Sequence, residues 1–195
     1  MKHKAILFFG IVGAGKGTQV SLLQEHLDTQ DQSSLYIYPG NEYRAISTQD
    51  TYISKRVKDT MDAGNLLPDS LTDGLVVSLL MEKYTGSETL ILDGYPRSLR
   101  QSETLADMAK FYSIEEMTVL VIDISEEEAV KRMLSRGRSD DNQEGIQKRI
   151  TVYKDQVYPS LAHLQDRMSL TVHTINGEQT IEEVHVDIKK ALKLE

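Results

Sequence analysis

The chain has 195 residues, 39% hydrophobic and 27% charged, with a formal net charge of −8 at pH 7 and no cysteine. This length suits one domain with a substantial core, the missing cysteines exclude disulfides and cysteine zinc clusters, and no stretch approaches the roughly 20 apolar residues of a membrane helix. The acidic balance and the lack of a long basic face argue against a nucleic-acid partner; cations that meet an anionic ligand must be gathered locally.

The first element is the apolar run Ala5–Phe9, read as a buried strand. It is too short for a secretory signal, so a cytoplasmic location is expected. It leads directly into Gly10-Ile11-Val12-Gly13-Ala14-Gly15-Lys16-Gly17-Thr18-Gln19 and then a helix with apolar positions Val20, Leu23 and Leu27. A strand, a glycine loop, Lys-Gly-Thr and a helix make the layout of a phosphate-binding P-loop. Glycines at 10, 13 and 15 let the backbone turn tightly and aim N–H groups at one point. Lys16 adds a mobile positive charge, Thr18 a hydroxyl near a bound Mg²⁺, and the helix its positive dipole end.

Four more strand-like runs follow: Leu35–Tyr38, Thr89–Leu92, Thr118–Ile124 and Leu170–Ile175. They alternate with helical patterns, which predicts an α/β fold: a five-stranded parallel sheet flanked by helices. The runs at 89–92 and 118–124 are almost continuously apolar, as a sheet covered on both faces requires. Between the second and third runs, residues 39–68 form a mostly helical excursion closing at Gly64-Asn65-Leu66-Leu67-Pro68. The third run continues as Ile91-Leu92-Asp93-Gly94-Tyr95-Pro96-Arg97. Strand ends are where such sheets bind ligands; Asp93 there can hold Mg²⁺ through water and Arg97 can fork onto a phosphate.

Ser125 with Glu128, and Thr180 with Glu183, read as capping boxes opening two helices, the second with Ile181, Val184, Ile188 and Ala191 or Leu192 on its apolar side. Lys131, Arg132, Arg136 and Arg138 form the local basic concentration, and residues 136–143 form a polar loop between two helices, placed to act as a moving lid. The five histidines show no ligand-like pairing, so no zinc is expected. The chain therefore reads as a single domain with a core of 1–38, 69–135 and 144–195, an insertion at 39–68 and a short lid at 136–143.

Together these pieces resemble the adenylate kinase family of nucleoside monophosphate kinases, whose fold is P-loop nucleoside triphosphate hydrolase-like. The resemblance rests on Gly15-Lys16-Gly17-Thr18-Gln19, on Asp93–Arg97 followed by Gln101, on Arg132 to Arg136 followed by Gly137-Arg138-Ser139-Asp140-Asp141, on Arg149, and on Ile175-Asn176-Gly177. It implies phosphoryl transfer from Mg²⁺-ATP to AMP, with Lys16, Arg97, Arg132, Arg138 and Arg149 catalytic. ATP would lie on Gly13, Ala14, Gly15, Lys16, Gly17 and Thr18, with Arg132, Arg136 and Gly177. AMP would meet Pro39, Gly40, Arg44, Leu66, Gly94, Arg97, Gln101, Arg138 and Arg149. Thr18 and, through water, Asp93 would hold the metal. The partners implied are ATP, AMP and ADP, with no nucleic acid or membrane, and the chain is expected to be a monomer.

The acceptor side departs from the family pattern Thr-Gly-Asp, two apolar residues, Arg. Residues 39–44 read Pro-Gly-Asn-Glu-Tyr-Arg. Pro39 offers neither a hydroxyl nor an N–H. Asn41 is expected to keep a helix cap, and Glu42 adds a negative charge. The P-loop has Val12 where relatives usually have proline. Gln101 favours adenine, yet an amide flipped end for end would serve guanine. A sibling enzyme acting on UMP, CMP or a deoxynucleotide therefore stays open, as does a nucleotide-binding module without efficient turnover. Tyr36, Tyr38, Tyr43 and Tyr52 either shape the acceptor pocket or pack the insertion.

Overall fold

A computed structural model describes residues 3–136 and 143–194. Five strands, β1 (His3–Phe9), β2 (Ser34–Ile37), β3 (Thr89–Asp93), β4 (Ile114–Asp123) and β5 (Thr171–Asn176), form one sheet in the order β2-β3-β1-β4-β5. Every pairing is parallel, with Ile6 opposite Ile91 on one side and Thr118 on the other. The five expected strands are all present. β4 begins four residues earlier than the apolar run: Ile114 and Met117 are buried in the core, while Glu115 and Glu116 between them face water.

β1 sits at the centre, and its side chains alternate between two apolar layers. Ile6 and Phe8 face one layer, with Ile91, Leu120 and Ile122. Ala5, Leu7 and Phe9 face the other, with Leu90, Leu92, Val119 and Val121. A strand buried on both sides explains the unbroken apolar runs read in the sequence. The first layer is closed by α1 (Lys16–Thr29), α6 (Glu126–Arg136), α7 (Gln143–Val152) and α9 (Ile181–Leu192), through side chains such as Leu23, Met133, Ile150 and Ile188. The second is closed by α4 (Asp69–Lys83), α5 (Leu99–Phe111) and α8 (Tyr158–Arg167), through Leu80, Leu105 and Leu164. Each fully buried Leu or Ile contributes roughly 1.5–3 kcal/mol. A π-helical turn, Tyr153–Val157, joins α7 to α8.

Between β2 and β3, α2 (Pro39–Ser47) and α3 (Tyr52–Asp62) precede α4. The expected excursion at 39–68 is thus two helices and their connections. α2 touches α4 through a buried bond between the Tyr43 and Thr72 hydroxyls, 3.0 Å apart. The loop read as a lid lies mainly outside the described residues, and Arg138 with it.

The two capping boxes differ. At α9 both halves form: the Glu183 N–H donates to Thr180 and the Thr180 N–H donates to Glu183. At α6 the Glu128 N–H donates to Ser125 at 3.3 Å, but the Ser125 N–H donates to Glu178 at 2.7 Å. Glu128 is committed elsewhere, to Arg132. Ile181, read as part of the α9 apolar side, is 52% exposed, while Val184 and Ile188 are buried.

Candidate active site

A cavity of about 450 Å³ opens at the carboxyl ends of β1 and β3, where the connection leaving β1 runs to β2 on one side of the sheet and the connection leaving β3 runs to β4 on the other. That is where doubly wound sheets take ligands, and the size suits a small molecule.

β1 ends at Phe9, and the chain turns through Gly10–Gly15 into α1. The Ala14 N–H donates to the Ile11 carbonyl at 3.1 Å, which closes the turn. Gly13 has φ +85°, and a Cβ there would stand 2.9 Å from the Ala129 carbonyl oxygen of α6. Only glycine lets the loop lie this close to that helix. Lys16 donates from Nζ to the Gly10 carbonyl at 2.8 Å and the Ile11 carbonyl at 3.4 Å, so the loop itself holds the ammonium. Burial lowers the Lys16 pKa, and the nearby Asp93 carboxylate opposes that shift.

Asp93 ends β3 and is buried. Its Oδ2 accepts from the Tyr36 hydroxyl at 3.2 Å. Its Oδ1 is buried with no hydrogen-bond partner. Burial, then the Asp93 charge, push the Tyr36 phenol above its ordinary range. Four residues on, Arg97 donates from Nε to the Gly94 carbonyl at 2.7 Å, which lays its side chain back along the turn. The Arg97 N–H donates to Gln101 Oε1 at 2.7 Å, and Gln101 Nε2 donates to Asp69 at 2.9 Å. Ser98 caps α5 by accepting from the Gln101 N–H at 3.1 Å, and donates to the other Asp69 oxygen at 2.8 Å.

On α6, Arg132 donates from Nε to Glu128 at 2.7 Å and from Nη2 to the Gly177 carbonyl at 2.9 Å. The Arg132 guanidinium, then Lys131, hold the Glu128 carboxyl below its ordinary range. Gly177 is itself pinned by its N–H to the Asp123 carbonyl at 2.8 Å. Residues 45 apart in sequence are therefore joined at one rim of the cavity.

The opposite rim belongs to α2. Arg44 donates to Asn41 Oδ1 at 2.6 Å and stands 5.1 Å above the Tyr38 ring. Asn41 is not the cap expected of it. α2 starts earlier, at Pro39 with Tyr38 as N-cap, because proline is favoured in a first helical turn. Asn41 then falls inside that turn, and its side chain orients Arg44 instead.

Of the residues singled out from the sequence, Gly13, Gly15, Lys16, Gly17, Thr18, Pro39, Gly40, Arg44, Leu66, Asp93, Gly94, Arg97, Gln101, Arg132, Arg136 and Arg149 all line this one cavity. Ala14 is buried behind the loop, and Gly177 stands behind Arg132. Tyr38, Thr72, Tyr153 and Val157 also line it and were not singled out as site residues. Tyr153 and Val157 follow Arg149 at four-residue steps, the spacing of one helical face, which was the available signal. Of the four tyrosines left undecided, Tyr38 and Tyr43 line the cavity, Tyr36 holds Asp93, and Tyr52 is 81% exposed.

The family profile for adenylate kinase matches residues 8–169. An adenylate kinase of Corynebacterium diphtheriae is 35% identical over 187 residues, covering 96% of this chain and 98% of its own. One from Prochlorococcus marinus is 38% identical over 192 residues, covering 98% of this chain and 100% of its own. One from Oenococcus oeni is 35% identical over 190 residues, with 96% of each chain covered.

Proposed function

This chain belongs to the adenylate kinase family, and from that premise we propose that it transfers a phosphoryl group from ATP to AMP, giving two ADP. The observation that carries the reading is that one cavity holds two opposed sets of cationic and polar groups. Lys16 and Arg132 stand on one side; Arg44, Arg97 and Gln101 stand on the other.

Phosphoryl transfer needs alignment and charge stabilisation more than covalent help. A phosphate oxygen of AMP attacks the terminal phosphorus of ATP, a new P–O bond forms, and the bond to the ADP oxygen breaks. The attacking oxygen already carries negative charge, so no base has to remove a proton. ATP phosphates rest on the Gly13–Thr18 backbone and Lys16, and the adenine lies toward Arg132 and Gly177. The AMP phosphate is forked by Arg44 and Arg97, its base faces Gln101 and Leu66, and Arg136 and Arg149 gather around the moving group, the role also assigned to Arg138, which lies outside the described residues. Arginine suits these positions because its planar fork matches phosphate oxygens.

Asp93, through water, and Thr18 would hold a Mg²⁺: the buried Oδ1 of Asp93 has no hydrogen-bond partner, and Thr18 lines the same cavity. Among the described residues no group of three or more His, Cys, Asp or Glu is arranged to hold a metal. One carboxylate, with the remaining positions left to phosphate and water, is the usual setting for Mg²⁺ in such sites. When bound, the ion neutralises charge on the phosphate oxygens.

Residues 39–68 and 136–143 are read as the segments that close over the two nucleotides and exclude water, without which ATP would be hydrolysed. One chain supplies both half-sites, which supports a working monomer. Among the described residues no helix is long and apolar enough to cross a membrane.

The test is diphosphate formation from ATP and Mg²⁺ across AMP, GMP, CMP, UMP and their deoxy forms, with a no-acceptor control. Strong preference for AMP is expected. Preference for another monophosphate would move the substrate while keeping the reaction. No transfer to any acceptor, despite ATP binding, would overturn the reading.

A further inference from the structure

Pro39 occupies a position that faces the acceptor, yet it has no hydroxyl and no N–H to offer. The neighbouring side chain fills that gap. Tyr38 is the N-cap residue of α2, but its side chain makes no capping bond. Its ring lies instead along the first turn of α2 on the cavity wall. A Cβ at Gly40 would stand 2.7 Å from Tyr38 Cε2 and 2.9 Å from its hydroxyl oxygen. Glycine at position 40 is thus what admits the phenol to this place. The ring stacks on Tyr36 with centroids 6.3 Å apart and planes 21° apart, and Tyr36 is anchored on Asp93. The Arg44 guanidinium stands over the ring, 5.1 Å from its centroid.

We propose that the Tyr38 hydroxyl is a phosphate-binding group of the acceptor half-site, donating to the monophosphate that Arg44 and Arg97 hold. The proposal rests on the reading of those two arginines as the acceptor clamp. A phenol held rigidly by a stack and a cation loses little freedom on binding, and it donates to an anion without adding charge. The electrostatics agree. Burial alone would raise the Tyr38 pKa, but Arg97 and Arg44 outweigh it and the net direction is down. A phenol so polarised is a stronger donor, and both guanidinium groups that polarise it belong to the clamp. The bond it makes is to a charged acceptor, the stronger class of hydrogen bond.

The test is Tyr38→Phe, which keeps the ring, its stack and its contact with Gly40 and deletes only the hydroxyl. Binding of AMP and of adenosine, and KM for AMP and for ATP, are measured on both proteins. In the variant, affinity for AMP is expected to fall about tenfold or more, with adenosine affinity and KM for ATP within about twofold of the parent. Unchanged AMP affinity would overturn the proposal. Equal losses for AMP and adenosine would also overturn it, since the hydroxyl would then serve the nucleoside and not the phosphate. The parent protein is the separate control: failure of the parent to phosphorylate AMP counts against the proposed function, whatever Tyr38→Phe does.

Discussion

Gln101 Nε2 donates to Asp69 at 2.9 Å, across 32 residues of sequence, while Gln101 Oε1 accepts from the Arg97 N–H at 2.7 Å. An ionised carboxylate only accepts and a backbone N–H only donates, so these two partners fix which end of the amide is which. Turning the amide over would set oxygen against carboxylate and N–H against N–H. The flipped form that would serve guanine is therefore penalised at both ends. What Gln101 still offers the cavity is a second lone pair on Oε1 and a second N–H on Nε2. Adenine presents a matching N6–H and N1, whereas guanine in the same place sets O6 against Oε1 and its N1–H against the amide N–H.

The parent enzyme is thus expected to prefer AMP over GMP by at least about a hundredfold in kcat/KM, as follows when a built polar site meets a mismatched partner. Gln101→Leu is expected to lower kcat/KM for AMP by about tenfold or more and to shrink the AMP-to-GMP ratio, with KM for ATP little changed. A variant that kept the full ratio would show that discrimination lies elsewhere in the pocket.

Gly13→Ala tests the close approach of the P-loop to α6. The native φ of +85° disfavours a side chain, and the added Cβ would meet the Ala129 carbonyl at 2.9 Å and Met133 Cγ at 3.3 Å. The combined cost is expected to be about 1–3 kcal/mol, a fall in Tm of roughly 3–10 °C for a domain of this size. Differential scanning calorimetry reads it. The loop must also shift away from α6, so KM for ATP should rise. An unchanged Tm would show that the loop relaxes without cost.

The sequence made the sheet readable wherever burial was two-sided. Ala5–Phe9, Thr89–Leu92 and Thr118–Ile124 are almost continuously apolar because helices cover both faces. The P-loop was equally plain, since Gly13, Lys16 and Thr18 act within one short segment. What escaped the sequence is of two kinds: competition between local signals, and long-range pairing. Glu128 looked like half of a capping box until Arg132 claimed it. Asn41 looked like a cap until Pro39 opened the helix ahead of it. Asp69 with Gln101, and Tyr36 with Asp93, meet only because the sheet sets β2 beside β3 and α4 beside α5. No local spacing encodes such contacts.

The tyrosines should titrate in separated steps. Arg97 and Arg44 bring Tyr38 down against the effect of burial, while Asp93 and Lys16 also face it. Burial, with Tyr158 and Asp123 adding to it, pushes Tyr153 up to about 12. Burial together with Asp93 raises Tyr36, and burial together with Asp73 raises Tyr95. A phenol whose folded pKa is raised costs nothing below about pH 10, where both states are protonated. Above it the unfolded chain ionises and the folded one resists, so stability falls as pH climbs from about 10 through about 12. Burial also raises Tyr43 and Tyr84; Tyr38 has the opposite sign, and the five raised groups outweigh it. Urea unfolding is expected to show lower stability at about pH 11 than at about pH 8. Phenolate absorbance is expected to begin with a component that Tyr38→Phe removes. A single unresolved absorbance step, unaltered by that variant, would contradict the assignment.

Lys16→Met separates phosphate chemistry from architecture. In the protein Nζ donates to the Gly10 and Ile11 carbonyls, 2.8 and 3.4 Å away, and the Ile11 carbonyl also accepts from the Ala14 N–H of the loop's own turn. Methionine keeps the length and apolar stem of the side chain, so the fold should be retained, with a modest fall in Tm as the Gly10 carbonyl loses its donor. The ammonium, however, is the positive charge on the P-loop itself, and burial in a poorly solvated wall makes its field on a phosphate stronger than in water. Removing a preorganised charge aimed at the reacting group costs on the order of 10²–10³-fold in turnover. The variant is therefore expected to fold as the parent does, to bind AMP with nearly the parent affinity, and to lose at least about a hundredfold in kcat. Near-parental turnover would show that the terminal phosphates of ATP do not lie against Lys16, and that the donor half-site is misplaced.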